Sequence, residues 1–219
     1  APGDMGVRQI IAQHIKERFG IEANGGLIYM TCGAAASLTV SLNAIVNNGD
    51  EVIVLAPFFP EYRVFAEQAG ATLKVVACKK EDLQIDFVSL EKAITNKTKA
   101  IIVNSPNNPS GVIIPECDII KLSELLNSKQ KEYGTDIYLL ADEPYRELVF
   151  TGEEVPYIPK YMMEQSRISL QNIIRIQLFV IHIVKHFHYL AKESVIFSFH
   201  QPLKIVATFT LQCVVRVER

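Results

Sequence analysis

Segments with the pattern of strands alternate with segments with the pattern of helices over residues 1–160, and this alternation is what most constrains the fold. Short apolar runs bounded by Gly, Pro, Asn or Asp predict strands, and apolar residues spaced three or four apart predict helices. The predicted strands are residues 27–31, 51–55, 72–76, 100–103 and 137–141. The predicted helices are residues 7–19, 34–46, 61–69, 88–94 and 115–131. This pattern is typical of an α/β fold, with a mostly parallel sheet flanked by helices.

Charge and cysteine usage narrow the function classes. The 219 residues carry 22 Lys and Arg against 24 Asp and Glu, so the chain has no basic field for a nucleic acid. No basic start with a following apolar segment is present, so no secretion signal is predicted. The four cysteines are widely spaced without a C-x-x-C pair, which favours reduced thiols in a cytoplasmic protein over disulfides or a metal site. Small-molecule chemistry is therefore the favoured class.

Two turns in the first half of the chain could contact a ligand. Residues 31–37 run from a strand through Gly33 into an apolar helix, where free N–H groups favour an anion such as phosphate. An ordinary strand-to-helix turn explains the same residues. Residues 56–62 follow the next strand and carry Phe58 and Phe59, one of which we expect to be a packing residue.

Two later segments carry a more specific signal. Residues 104–111 hold three asparagines and two prolines in eight positions, which is typical of a rigid loop that aims an amide outward. Asp142 follows the apolar strand at 137–141, where a buried carboxylate is costly unless a cation or a strong donor pairs with it. As ordinary structure, the loop would be a plain turn, Asp142 a helix N-cap and Tyr145 a surface turn residue.

In their order and spacing, these four segments resemble the signature of the class I and II aminotransferases, which use pyridoxal 5'-phosphate (PLP). The resemblance covers residues 1–161 and implies a partial PLP-binding large domain. It further implies transfer of an amino group between an amino acid and a 2-oxo acid, in cytoplasmic amino-acid metabolism and as a homodimer. The cofactor-binding residues that it implies are Gly33, Ala34, Ala35, Phe59, Asn108, Asp142 and Tyr145.

The resemblance also implies a role for each of these residues. The turn at residues 33–35 would hold the PLP phosphate, and Phe59 would stack on the pyridine ring. Asn108 and Tyr145 would hydrogen-bond the 3-oxygen of the ring. Asp142 would pair with the protonated pyridine nitrogen and keep the ring an effective electron sink. None of them performs the proton transfer, which belongs to the Schiff-base lysine of the family, so no catalytic residue and no metal ligand is assigned.

Residues 162–219 differ in composition, with no Gly, no Asp and one Pro but four of the five histidines. A membrane anchor at 173–190 is disfavoured, because charged residues and histidines interrupt the apolar run. A metal site of His182, His186 and His188 is disfavoured too, because chance spacing in a His-rich tract is commoner. The favoured interpretation is an out-of-frame or irregular tail, which we expect not to complete the sheet.

The genetic code permits a test of this interpretation. Joining the last base of each codon to the first two bases of the next gives the codons of a shifted reading frame. Over the sixteen junctions between residues 181 and 197, these shifted codons can encode the peptide S-Y-S-K, then Ala or Thr, then L-S-L-P-G-E-R-I-G-Y-I. That string is similar to the Schiff-base segment of the family, and its lysine codon would straddle Val184 and Lys185 if Val184 is encoded as GTA. A base deletion, a retained intron and a faulty gene model would each explain the shift.

Several activities stay open on the sequence. The chain as written lacks a recognisable Schiff-base lysine. It is therefore either a PLP aminotransferase, active only if the true product continues in the other frame, or a catalytically inactive fragment. A C–S lyase or a decarboxylase on the same scaffold is also compatible with the sequence, because a fold does not fix a reaction.

Overall fold

The computed structural model describes residues 2–165, 177–183 and 211–215. Its strands are β1 (Ile28–Thr31), β2 (Glu51–Ala56), β3 (Thr72–Ala77), β4 (Thr98–Asn104), β5 (Tyr138–Asp142), β6 (Gln177–Ile183) and β7 (Leu211–Val215). Its helices are α1 (Met5–Phe19), α2 (Ala34–Ile45), α3 (Glu61–Gln68), α4 (Phe87–Ala93), α5 (Glu116–Tyr133) and α6 (Ile158–Gln165). In the described ranges no helix is long and apolar enough to cross a membrane.

The strands form one sheet in the order β1-β7-β6-β5-β4-β2-β3. The run from β3 through β2, β4 and β5 to β6 is parallel throughout. Strand β7 is antiparallel to both of its neighbours, β6 and β1, so β1 again points in the same direction as β5. The predicted α/β fold with a mostly parallel sheet and flanking helices is confirmed, and the carboxyl ends of β1, β2, β4 and β5 lie along one edge.

Helices cover both faces of the sheet, because the central strands are apolar on both faces. Successive side chains of a strand point to opposite faces. In β2, for example, Ile53 and Leu55 join a core cluster with residues of α4, α5 and α6, whereas Val52 and Val54 pack with residues of α2 and α3. Strands buried on both faces read as continuous apolar runs, and this explains why β2, β4 and β5 are the clearest strands in the sequence.

Residues beyond 161 do complete part of the sheet, so that part of the prediction was wrong. Strand β6 pairs in parallel with β5, with Leu178 opposite Leu140, and Cys213 of β7 lies between Ile181 and Met30. Helix α6 crosses the predicted boundary, and the side chain of Met162 is buried in the core.

The physical reason is that strand pairing uses backbone groups. It needs only a short run of β-branched and aromatic residues, which Gln177–Ile183 supplies whatever the composition of the whole tail. The segment with the lysine codon lies outside the described residues, as do His186 and His188. No cluster of metal-ligating side chains occurs in the described part of the chain.

Candidate cofactor site

Two polar residues end neighbouring parallel strands at the same level. Asn104 is the last residue of β4 and lies in register with Asp142, the last residue of β5. The Asn104 side chain donates from Nδ2 to the main-chain oxygen of Asp142 over 2.7 Å, and its Oδ1 accepts from the amide of Asn108 over 2.6 Å. Asn104 therefore fixes both the strand end that carries Asp142 and the loop that carries Asn108.

The loop at residues 104–111 and the turn after β5 meet through two predicted site residues. Nδ2 of Asn108 lies 3.2 Å from the hydroxyl of Tyr145, within hydrogen-bond distance. Both side chains are half-buried rather than exposed. They line a cleft of about 450 Å³ between the loop and residues 148–153. The structure thus brings together the two donors that were predicted to share one oxygen.

The carboxylate of Asp142 is buried at the end of β5. Its side chain is 4% exposed, and Oδ2 accepts a 2.6 Å hydrogen bond from the hydroxyl of Tyr62. Oδ1 is buried and has no hydrogen-bond partner among the described residues. Burial raises the pKa of Asp142 to about 6, although the bond from Tyr62 lowers it. Asp142 does not cap a helix, because a turn follows β5.

Tyr62 connects Asp142 to the predicted stacking residue. The ring of Phe59 meets the ring of Tyr62 edge-on, with centroids 5.7 Å apart and an interplanar angle of 80°. Burial and the neighbouring Asp142 raise the pKa of Tyr62, so its hydroxyl stays protonated and donates. Phe58 and Phe59 are both half-buried, and both pack against the core cluster that contains Tyr62. The edge-on contact leaves Phe59 next to a residue that touches Asp142.

The glycine turn lies further along the same edge. Gly33 occupies the N-cap position of α2 with φ 122°, a conformation that only glycine adopts readily, and a Cβ built there would meet nothing within 4 Å. Among the described residues, no side chain caps the amides that open α2, which are those of Ala34, Ala35 and the residue that follows. Because β7 and β6 separate β1 from β5, the turn lies three strand spacings from Asp142, roughly 14 Å along the edge.

The comparison with protein families decides the identity of the fold. Residues 3–175 match the model described as aminotransferase class I and II. The chain belongs to this family. A probable aspartate/prephenate aminotransferase of Thermus aquaticus is 35% identical over 147 residues, which are 67% of this chain and 37% of that protein. An arginine–pyruvate transaminase of Pseudomonas aeruginosa is 31% identical over 154 residues, 70% of this chain and 38% of that protein.

Solved aminotransferases have the same architecture. An aminotransferase of Eubacterium rectale superposes with a TM-score of 0.79 at 37% identity and covers 98% of this chain and 47% of its own. The aspartate aminotransferase of Thermus thermophilus, solved with maleate, gives 0.75 at 25% identity, with 98% and 47% covered. The chain spans less than half the length of each of these relatives.

Class I and II aminotransferases are PLP-dependent, and the described residues fit this cofactor. The buried Oδ1 of Asp142, which has no partner in the part of the chain that the structure describes, needs a cationic or donor partner, and a protonated pyridine nitrogen would supply one. The adjacent Asn108 and Tyr145 provide two donors for a ring oxygen. The uncapped start of α2 provides main-chain amides for a phosphate.

The sequence did not predict two residues of the site. Tyr62 and Asn104 make the hydrogen bonds that orient Asp142 and Asn108. The sequence signal for Asn104 is a polar residue that ends an apolar strand, as Asp142 also does. Tyr62 gives no such signal, because its partner lies 80 residues away in the chain.

Proposed function

We propose that this chain is the PLP-binding part of an aminotransferase that transfers an amino group between an amino acid and a 2-oxo acid. The observation that carries the proposal is the oxygen Oδ1 of Asp142, which is buried and has no hydrogen-bond partner among the described residues. Asn104 links the backbone of Asp142 to Asn108, which lies within hydrogen-bond distance of Tyr145. Most buried side-chain oxygens have a hydrogen-bond partner, whereas only one oxygen of Asp142 has one among the described residues, and burial raises the pKa of Asp142.

Each proposed contact uses a group that the structure presents. Asp142 would pair with the protonated ring nitrogen, while Tyr62 orients the Asp142 carboxylate. Asn108 and Tyr145 would donate to the 3-oxygen, and Phe59 would stack on the ring. The amides at residues 33–35 would bind the phosphate. When bound, PLP supplies the electron sink for chemistry at the Cα atom of an amino acid.

The same proposal covers substrate class, location and assembly. The relatives are named for aspartate, prephenate, arginine and pyruvate, which are amino acids or 2-oxo acids, and we carry over only this common class. We place the protein in the cytoplasm, in amino-acid metabolism, since its described cysteines are free thiols and two of them are exposed. We expect a homodimer for the intact protein.

The domain division is also a proposal. Residues 1–161 form the partial PLP-binding large domain, and residues 162–219 are an out-of-frame or irregular tail, of which β6 and β7 join the sheet. The family match ends at residue 175, before the segment whose alternative frame resembles the Schiff-base motif. The nucleotide sequence of codons 160–200 tests this, because a Val184 codon other than GTA, or a stop in the neighbouring frame, would refute the shift.

A titration of PLP against the purified chain, followed by absorbance and gel filtration, tests the cofactor proposal. We expect saturable binding that Asp142→Ala weakens at least about tenfold, since a buried charge pair is lost. Arg63→Ala is the matched control, because Arg63 lies exposed on α3 and pairs only with Glu67 in the described structure. Equal binding by both variants and the parent would overturn the proposal.

Covalent attachment separates an active aminotransferase from an inactive fragment. Mass spectrometry after borohydride reduction reports PLP that is joined to a lysine. We expect none for the chain as written, and one PLP for a chain whose residues 182–197 carry the alternative-frame sequence. The second chain should also transfer amino groups, and formation of sulfide or amine without transfer would instead favour the lyase or decarboxylase.

A further inference from the structure

Arg146, directly after Tyr145, is held by an unusual number of partners. Its Nε and Nη2 donate to Oε2 of Glu143, with Nε at 2.8 Å, and the same Nη2 donates to the oxygen of Pro156 over 2.8 Å. Nη1 donates to the oxygen of Val155. Only 11% of the Arg146 side chain and 4% of the Glu143 side chain are exposed. One guanidinium thus joins the turn after β5 to the segment that leads into α6.

Two aromatic rings complete the surroundings of Arg146. Its Cζ lies 5.3 Å from the ring centroid of Phe19 and 5.1 Å from that of Tyr157, and the two rings stack at 3.8 Å. Such distances allow cation–π attraction. Phe19 is the last residue of α1, and the neighbouring Arg18 pairs with Glu147 at 2.6 Å. The same guanidinium therefore also links the turn to α1.

The turn needs such support because its own backbone holds it weakly. The amide of Leu148 donates to the main-chain oxygen of Tyr145 over 2.8 Å, but the amide of Arg146 lies 3.5 Å from the main-chain oxygen of Glu143. Tyr145 itself is half-buried.

We propose that Arg146 is a positioning residue that fixes the Tyr145 hydroxyl beside Asn108. The proposal rests on the proposed PLP site, since Tyr145 is expected to bind the cofactor there. The guanidinium of Arg146 then connects α1 and the segment before α6 to the turn that carries Tyr145.

The test is a double-mutant cycle on the dissociation constant of PLP. Arg146→Met would leave the Glu143 carboxylate buried without its cationic partner and would risk unfolding the chain, so Arg146→Lys is used. Lysine keeps the charge but cannot bond Glu143 and two carbonyl oxygens at once. We expect Arg146→Lys and Tyr145→Phe each to weaken PLP binding about tenfold. In the Tyr145→Phe background, Arg146→Lys should change the dissociation constant of PLP by less than about twofold.

Arg63→Lys controls for the loss of a guanidinium. Arg63 forms an exposed ion pair on α3, so this substitution should leave PLP binding unchanged. An Arg146→Lys effect of equal size with and without the Tyr145 hydroxyl would overturn the proposal, because a general structural defect is additive. So would PLP binding by Arg146→Lys at parental strength.

Hydrogen exchange provides a second arm that needs no cofactor. Arg146→Lys should speed amide exchange of residues 143–148 at least about tenfold while leaving β4 protected, because only the local opening becomes easier. Unchanged exchange would overturn the positioning role. If the parent chain binds no PLP, the proposed function fails, and the exchange result alone then decides the role of Arg146.

Discussion

The hydroxyl of Tyr62 donates a 2.6 Å hydrogen bond to Oδ2 of Asp142, and both side chains are buried. This bond joins the first turn of α3 to the end of β5 and sets the orientation of the carboxylate before any ligand arrives. It satisfies one oxygen and leaves Oδ1 without a partner in the described structure. The pair therefore explains both why the aspartate is tolerated in the core and why it still needs a cationic partner.

Tyr62→Phe should raise the pKa of Asp142 further above about 6, because the Tyr62 bond favours the ionised carboxylate. PLP binding at neutral pH should weaken, since a larger fraction of Asp142 would be protonated. A pH titration of the Asp142 carboxyl carbon by NMR measures the pKa directly. Tyr29→Phe, at a tyrosine with an exposed side chain on β1, is the control, and a pKa of Asp142 that does not rise in Tyr62→Phe would contradict the prediction.

Asp142 should make the chain less stable as the pH rises from about 4 to about 6. Its folded pKa of about 6 lies above the ordinary value, so its contribution to stability is full below pH 4 and is lost as pH rises through 6. Two pH units correspond to about 3 kcal/mol of unfolding free energy. Urea unfolding of the parent and of Asp142→Asn at a series of pH values measures this contribution to the free energy of unfolding. The difference between the two curves should shrink when PLP is bound, and a difference independent of pH would refute the assignment.

Local patterns were enough to predict the strands that are buried on both faces. The predicted bounds of β2, β4 and β5 agree with the structure within two residues, because continuous apolar runs and the turn residues after them are local signals. The grouping of Asn108, Asp142 and Tyr145 in one site was implied by the family resemblance rather than by these local patterns. Parallel pairing brought the residues at the ends of β4 and β5 within hydrogen-bond distance.

Long-range contacts could not be predicted in the same way. The bond between Tyr62 and Asp142 spans 80 residues, and the sequence contains no local trace of it. Strands β6 and β7 were missed for a different reason. Their pairing depends on free backbone groups of β5 and β1, whereas the sequence argument weighed the composition of the whole segment after residue 161. Glu143 and Arg146 are three residues apart in the chain, but the burial of their ion pair depends on α1 and on the segment before α6.

Asn104→Ala should destabilise the chain by about 2–4 kcal/mol, because the buried main-chain oxygen of Asp142 and the half-buried amide of Asn108 both lose their partner. Asn43→Ala removes an exposed side-chain bond to the Thr39 oxygen on α2 and should change stability by less than about 0.5 kcal/mol. Urea unfolding of both variants measures the two costs. Similar costs would show that Asn104 does not hold the loop.

Gly33→Ala should weaken PLP binding through the backbone rather than through a clash. A Cβ at this position meets nothing within 4 Å, but φ 122° is strained for any L-residue and costs about 1–3 kcal/mol. The turn would relax and move the amides that open α2, so we expect binding of PLP, and of inorganic phosphate as a competitor, to fall together. Gly134→Ala is the matched control, since Gly134 also has positive φ and open space, but at the end of α5. It should lower stability by a similar amount without changing either affinity, and equal losses of affinity in the two variants would contradict a phosphate site at Gly33.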